Sequence, residues 1–447
     1  MIVETSSGRI RGSSVDGAHR FLGIPYAAPP VGELSFAAPV SPRPWTGVRD
    51  TLVPGAACPQ PSSRLEDILG PMRVPQGPDC LNLNVWTPGL DGSRPVMVWL
   101  HGGGFSSGCG GQDWYDGAQL ASRGDIVVVT INYRLGALGY LHLGELTDEM
   151  GDGNFGLLDM LAALRWVHRE IHRFGGDSNQ VTLVGQSAGA LCGVVLMSAE
   201  PARGLFQRAI LQSTPTSVSP ASSAEATEVA EQYLAQLGLS PDQAHKLREE
   251  PFGRLLEAQT TLARRLAKPL RLAPPFQLTA KPGLVAEDPI ACVPPDIDRF
   301  AGFTADEATA WPIPADLDHH TAAALAEGFG GQYPPDTTGS DPSQALVKVA
   351  TDHYFASGIP RLGEGGYAYR FDWHPSDTRT KACHCIELPF VFGTVDAWRT
   401  APMLGGETPP AYLIDTIQQA WLSFIQTGIP GPGWSVYRNQ QDLRSLS

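Results

Sequence analysis

Val181-Thr182-Leu183-Val184-Gly185-Gln186-Ser187-Ala188-Gly189-Ala190 is the stretch on which the fold reading turns. A short apolar strand, Val181–Val184, runs into a serine bracketed by glycines, and the residues beyond it, Ala188–Ala199, read as a helix. A strand that turns at once into a helix forces its central residue into a strained backbone conformation and lifts the side chain above the sheet. Glycines on either side let strand and helix approach closely. The five-residue pattern alone decides little: with 49 glycines in 447 residues, chance supplies roughly 0.3 matches per chain. Gly104-Phe105-Ser106-Ser107-Gly108 fits it as well, yet leads into further glycines with no helix to receive it. Context therefore selects Ser187 as the nucleophile of an elbow.

The flanking chain repeats the same rhythm. Val96–Leu100 and Ile126–Ile131 are strand-length apolar runs, as expected for strands covered on both faces, while Leu81–Trp86 alternates and fits a strand with one wet face. Phe155–Phe174 is the strongest helix, its apolar positions spaced by three and four and Gly175-Gly176 stopping it. Ala209–Gln212 and Tyr367–Trp373 read as later strands, Tyr412–Thr427 as a C-terminal helix, and 328–343 as a surface loop. This alternation predicts a large, mostly parallel sheet with helices on both faces, an α/β fold. Helices at Ala224–Leu237 and Phe252–Ala267 stand outside the rhythm, so residues 222–270 are expected to form a helical excursion on a single domain spanning 1–447. The first third, rich in Pro and Gly, reads as turns and short strands.

Composition removes several classes of function. The chain carries 46 acidic and 32 basic residues, a net charge of −14, which disfavours nucleic acid and anionic membranes as partners. No apolar run reaches membrane-spanning length. Met1–Arg11 shows no apolar segment after a basic start, so the expected location is cytoplasmic, with export left open. Seven cysteines do not make a disulfide scaffold. A small-molecule substrate, without cofactor or metal, is the expectation, with the oligomeric state left open and a monomer favoured.

His101-Gly102-Gly103-Gly104-Phe105 follows directly on the strand Val96–Leu100. A glycine run at a strand end can aim successive backbone N–H groups at one point, as a tetrahedral oxyanion requires. The N–H of Ala188, next after the nucleophile, would complete the hole. In an α/β hydrolase the acid and then the histidine follow the serine along the chain. The residues leave both open: Glu307, Asp306 and Asp298 compete for the acid, and His374 and His384 both fall in loops after the strand Tyr367–Trp373.

Several longer stretches carry a resemblance: Phe21-Leu22-Gly23-Ile24-Pro25-Tyr26-Ala27, Asp79-Cys80-Leu81-Asn82-Leu83-Asn84-Val85-Trp86, Asn132-Tyr133-Arg134, Asn154-Phe155-Gly156-Leu157-Leu158-Asp159, Phe174-Gly175-Gly176-Asp177 and Gly185–Ala190. In these the chain resembles the type B carboxylesterases, the cholinesterase-like branch of the α/β hydrolases, in their bacterial p-nitrobenzyl-esterase-like form. The resemblance implies a catalytic triad of Ser187, Glu307 and His384 and an oxyanion hole of Gly103, Gly104 and Ala188. It also matches Cys58 and Cys80 to a family disulfide and Arg134 with Asp159 to a structural ion pair. Departures are visible: Gln186 and Ala308 replace the family's usual Glu and Gly, and Ser35 and Pro78 occupy the places of a buried Arg–Glu pair. Losing both halves of that pair avoids a stranded buried charge. Gln186 removes a negative charge beside the nucleophile, which speaks against choline-like substrates. Cys383 and Cys385 flank His384 and are read as buried thiols rather than as metal ligands. Phe105 and Trp311 are candidate pocket walls. The implied activity is serine carboxylesterase chemistry through an acyl-enzyme. The alternatives are a hydrolase of an amide, carbamate or lactone, and a non-catalytic binding protein of the same fold.

Overall fold

Val127, Val128, Val129 and Ile131 are fully buried, as are Val96 to Leu100. β-Branched and bulky apolar side chains covered on both faces are what a central parallel strand demands. In the computed structural model, which describes all residues except 148, 149, 315, 336–338 and 377, these runs are two of thirteen strands. They are β1 (Ile2–Thr5), β2 (Gly8–Arg11), β3 (Ser13–Val15), β4 (Ala18–Pro25), β5 (Val48–Asp50), β6 (Asn82–Thr87), β7 (Arg94–Leu100), β8 (Val127–Ile131), β9 (Gly176–Gln186), β10 (Arg208–Gln212), β11 (Asp298–Thr304), β12 (Tyr367–Phe371) and β13 (Arg444–Leu446). Ten form one sheet in the order β13-β12-β11-β10-β9-β7-β8-β6-β4-β3. From β13 to β8 every neighbour is parallel. The β6, β4 and β3 side is antiparallel. β1, β2 and β5 make a separate small sheet, which is how the Pro- and Gly-rich lead-in is used.

The helix Phe155–Glu170 buries Leu157, Met160, Leu161, Leu164 and Val167, then tightens into a 3-10 turn through Phe174. Gly175, at φ 73°, supplies the left-handed residue that ends it. The expected strand at Val181–Val184 proves longer, starting at Gly176, because Arg94 pairs with Gly176 across the sheet. β12 stops at Phe371, two residues short of the expectation. The excursion contains the helices Ser223–Leu237, with a Ser222/Glu225 capping box, and Phe252–Leu266. Gln259 of the second accepts a hydrogen bond from the Ala137 N–H at 2.8 Å, tying the excursion to the body beside Arg134.

Among the helices longer than ten residues, two were not read from the sequence, His319–Phe329 and Pro342–Tyr354. They bound the expected loop at 328–343 and shorten it to 330–341, part of which lies outside the described residues. Both start on a signal present in the sequence: the Asp318 and Asp341 side chains accept from backbone N–H groups of the first turn. No helix among the described residues is long and apolar enough to cross a membrane.

Candidate active site

Four loops meet at the carboxyl ends of the parallel strands, where an open α/β sheet places its ligands. Ser187 follows β9, the glycine run follows β7, Glu307 lies three residues past β11, and His384 stands in the loop after β12. Ser187 holds φ 56° and ψ −125°, a conformation strained for a residue with a side chain, and opens the helix Ala188–Ser198. The elbow fits only because its neighbours are small. A Cβ on Gly185 would stand 2.6 Å from the backbone of Gly189, and a Cβ on Gly189 would run into the carbonyls of Leu100 and His101.

The His384 ring lies 2.8 Å from the Ser187 Oγ through Nε2, and its Nδ1 contacts the Glu307 Oε2 in a very short bond. Glu307 is itself fixed: its Oε1 accepts from the Thr304 N–H at 2.8 Å, and the next N–H, of Ala308, donates to Thr351 Oγ1. Glu307 and His384 are fully buried, whereas Ser187 is only partly so. The rivals fall elsewhere. His374 bonds the Pro375 carbonyl, Asp298 begins β11 and faces Arg208, and Asp306 points to the Ala382 N–H. Ser106 sits in the glycine loop with no helix behind it.

Burial of the His384 ring opposes its charging, but the neighbouring Cys385 and the Glu307 carboxylate outweigh it and hold the imidazole's pKa well above its ordinary value. Burial raises the Cys385 thiol, so near neutral pH that thiol carries no charge and Glu307 is the counter-ion that matters. Gln186 places its amide nitrogen 3.2 Å from His384 Nε2 and 3.3 Å from Cys385 Sγ. A neutral amide thus occupies the ground where the resemblance puts a carboxylate.

Gly103 and Gly104 have φ of 122° and 57°, values that L side chains rarely adopt. Among the described residues their N–H groups and that of Ala188 have no acceptor within the protein. His101 anchors this loop: its ring stacks on Tyr133 with centroids 4.3 Å apart, its carbonyl accepts from the Tyr133 hydroxyl at 2.6 Å, and burial pushes its pKa down to about 4. A neutral His101 therefore acts as packing.

Ser187, His384, Gly103, Gly104 and Ala188 all line one cavity of about 240 Å³. Phe105 and Trp311 line it too. Trp311 lies against His384, ring centroids 5.2 Å apart, while Phe105 packs edge-on against Tyr140. Sequence reasoning missed Phe355, whose ring lies 5.1 Å from His384, and Arg64, which lines the same cavity. Neither carried a local signal.

Arg134 and Asp159 form a fully buried two-pronged pair at 2.7 and 2.8 Å. Ser35 and Pro78 line a small hollow beside Arg134, with no charge left in it from the missing pair. Cys58 and Cys80 are free buried thiols close enough to hydrogen-bond, and Cys383 and Cys385 are free and buried as well.

Comparison with known proteins agrees with this geometry. The model of the carboxylesterase family matches residues 1–329. The para-nitrobenzyl esterase of Bacillus subtilis (strain 168) is 36% identical over 470 residues, covering 98% of this chain and 93% of its own. The phenmedipham hydrolase of Pseudarthrobacter oxydans is also 36% identical, over 476 residues, with coverage of 98% and 93%. A solved PNB esterase superposes with a TM-score of 0.87 at 34% identity, covering 97% of this chain and 92% of that one. A carboxylesterase of Geobacillus stearothermophilus gives 0.81 at 32%, with coverage of 100% and 96%. On the strength of the elbow, the strand order and these matches, the chain belongs to the carboxylesterase family.

Proposed function

We propose that the protein is a serine carboxylesterase in which Ser187, His384 and Glu307 act as nucleophile, general base and orienting acid. The observation that carries this reading is the unbroken contact from the Ser187 Oγ through the His384 ring to Glu307. His384 Nε2 takes the hydroxyl proton as Oγ attacks the ester carbonyl. The resulting oxyanion is received by the N–H groups of Gly103, Gly104 and Ala188, whose lack of protein acceptors supports that role. Collapse breaks the carbon–oxygen bond to the alcohol, and His384 returns its proton to the departing alkoxide. Water, activated by the same ring, then releases the acid and restores Ser187. Phe105 and Trp311 would wall the substrate cavity. The setting we propose is a small-molecule ester handled by a monomer in the cytoplasm.

Two measurements test the assignment. A fluorophosphonate probe should label Ser187, and Ser187→Ala should lower turnover of p-nitrophenyl butyrate by several orders of magnitude. Unlabelled Ser187, or turnover undiminished in the variant, overturns it.

A further inference from the structure

The wall of the cavity facing the glycine run carries one guanidinium. Arg64 lies in the loop before the short helix Glu66–Leu69 and lines the same cavity as Ser187 and His384. Its Nη2 is so placed that a Cβ on Gly104 would stand 2.8 Å from it, so the charge sits directly over a residue of the oxyanion loop. It makes one hydrogen bond, from Nη2 to the Leu272 carbonyl at 3.3 Å. Among the described residues no carboxylate comes within 4.0 Å of it. Arg64 stays exposed to solvent, and nearby protein lowers the pKa of its guanidinium from the ordinary value.

An arginine with a single neutral acceptor leaves most of its N–H donors unused, and its planar fork suits a carboxylate. The cation is also out of keeping with its surroundings, since the chain as a whole has a net charge of −14 and repels anions at long range. Attraction for an anion at this wall has to be local. Glu66 and Asp67 follow Arg64 closely in the chain and Glu66 lines the same cavity, yet neither forms an ion pair with it. We propose that Arg64 is a specificity-determining residue that binds a carboxylate carried by the substrate, so that the preferred esters are monoanionic.

The inference rests on the serine esterase reading and adds the charge class of its substrate. The carboxylate could belong to the acyl part or to the alcohol part, and paired probes separate the two. Mono-p-nitrophenyl adipate against p-nitrophenyl hexanoate tests the acyl side. 4-Acetoxybenzoate against its methyl ester tests the alcohol side. The readout is the ratio of kcat/KM for the anionic member to that for the neutral one, in wild type, Arg64→Met, Arg64→Glu and Glu66→Gln. Removing a charge-assisted hydrogen bond should lower the ratio tenfold or more in Arg64→Met, in the arm where the carboxylate meets Arg64. Arg64→Glu should lower it further, and Glu66→Gln should raise it. In wild type alone, at an ionic strength of about 0.5 M that screens the chain's long-range repulsion, the ratio should exceed one in that arm, since the preferred esters are anionic. That measurement keeps the test intact if the variants fold poorly. A ratio unmoved by both Arg64 variants in both arms, or a wild-type ratio below one in both arms, overturns the proposal and leaves Arg64 as a tie between two loops. Absence of turnover on all four esters, with Ser187 unlabelled, would instead sink the serine esterase reading beneath it.

Discussion

Replacing Gly189 with alanine isolates the contact on which the elbow depends. A Cβ at 189 would lie 2.5 Å from the His101 carbonyl oxygen and closer still to that of Leu100, whereas real Cβ atoms keep beyond 3.0 Å. Both obstacles are backbone at the end of β7, so relief requires the helix Ala188–Ser198 and the strand to part by about 0.5 Å or more. Overpacking of this kind costs about 1–3 kcal/mol. The same movement displaces Ser187 and Ala188 from the glycine run, and misplacements of about 1 Å in a catalytic array cost on the order of 100-fold in rate. Gly193 on the same helix is the control. There the added Cβ meets first a flexible Leu211 side-chain carbon at 3.3 Å, and alanine is intrinsically the better helix former by about 1 kcal/mol. The assay is kcat for p-nitrophenyl butyrate alongside the urea midpoint for each variant. Gly189→Ala should lose about two orders of magnitude in kcat and part of its stability, with Gly193→Ala near wild type in both. Equal behaviour of the two variants, or a fully active Gly189→Ala, would refute the close-approach argument.

Asp159→Asn strands the buried Arg134 guanidinium and should cost about 3–5 kcal/mol, read from urea unfolding. Because His384 must be neutral to accept the serine proton and its pKa is raised, kcat/KM should fall as pH drops through a value above 6.5. Glu307→Gln, lacking the carboxylate that favours the protonated ring, should move that limb to lower pH while lowering its plateau; an unmoved limb would exclude Glu307 as the cause. Burial, then repulsion from Glu307, pushes the pKa of the fully buried Glu387 up to about 7 from an ordinary 4.5. A raised folded-state pKa means the unfolded chain ionises first, so this carboxyl costs nothing at low pH and costs most above pH 7. Glu387→Gln should therefore stabilise by about 3 kcal/mol more at pH 8 than at pH 4, since each pKa unit is worth about 1.4 kcal/mol.

What the sequence disclosed was what lies contiguous in it. The elbow was legible because strand, serine and helix occupy adjacent residues, and the helix Phe155–Glu170 because its buried positions recur within it. The choice of His384 over His374 was not, since both follow one strand and only the docking of that loop under Glu307 tells them apart; the family resemblance carried that choice. Arg64 and Phe355 reach the cavity from distant segments and bear no periodicity that marks them. Gln186 was read as a lost charge, but its contact with the imidazole needed coordinates. The helices His319–Phe329 and Pro342–Tyr354 were announced by Asp318 and Asp341 and were legible in principle.

β13 contributes only three residues, Arg444–Leu446, to the edge of the sheet, and among the described residues it is the one strand paired with β12 on that side. The Leu446 carbonyl accepts from Asp372 just past β12, on the same connection that goes on to present the imidazole. This brief outer rung acts as a clasp, and trimming the chain by its final four residues would bare an unpaired strand edge. Such an enzyme would fade in activity on warming before its bulk unfolded, and its copies would be prone to join edge to edge.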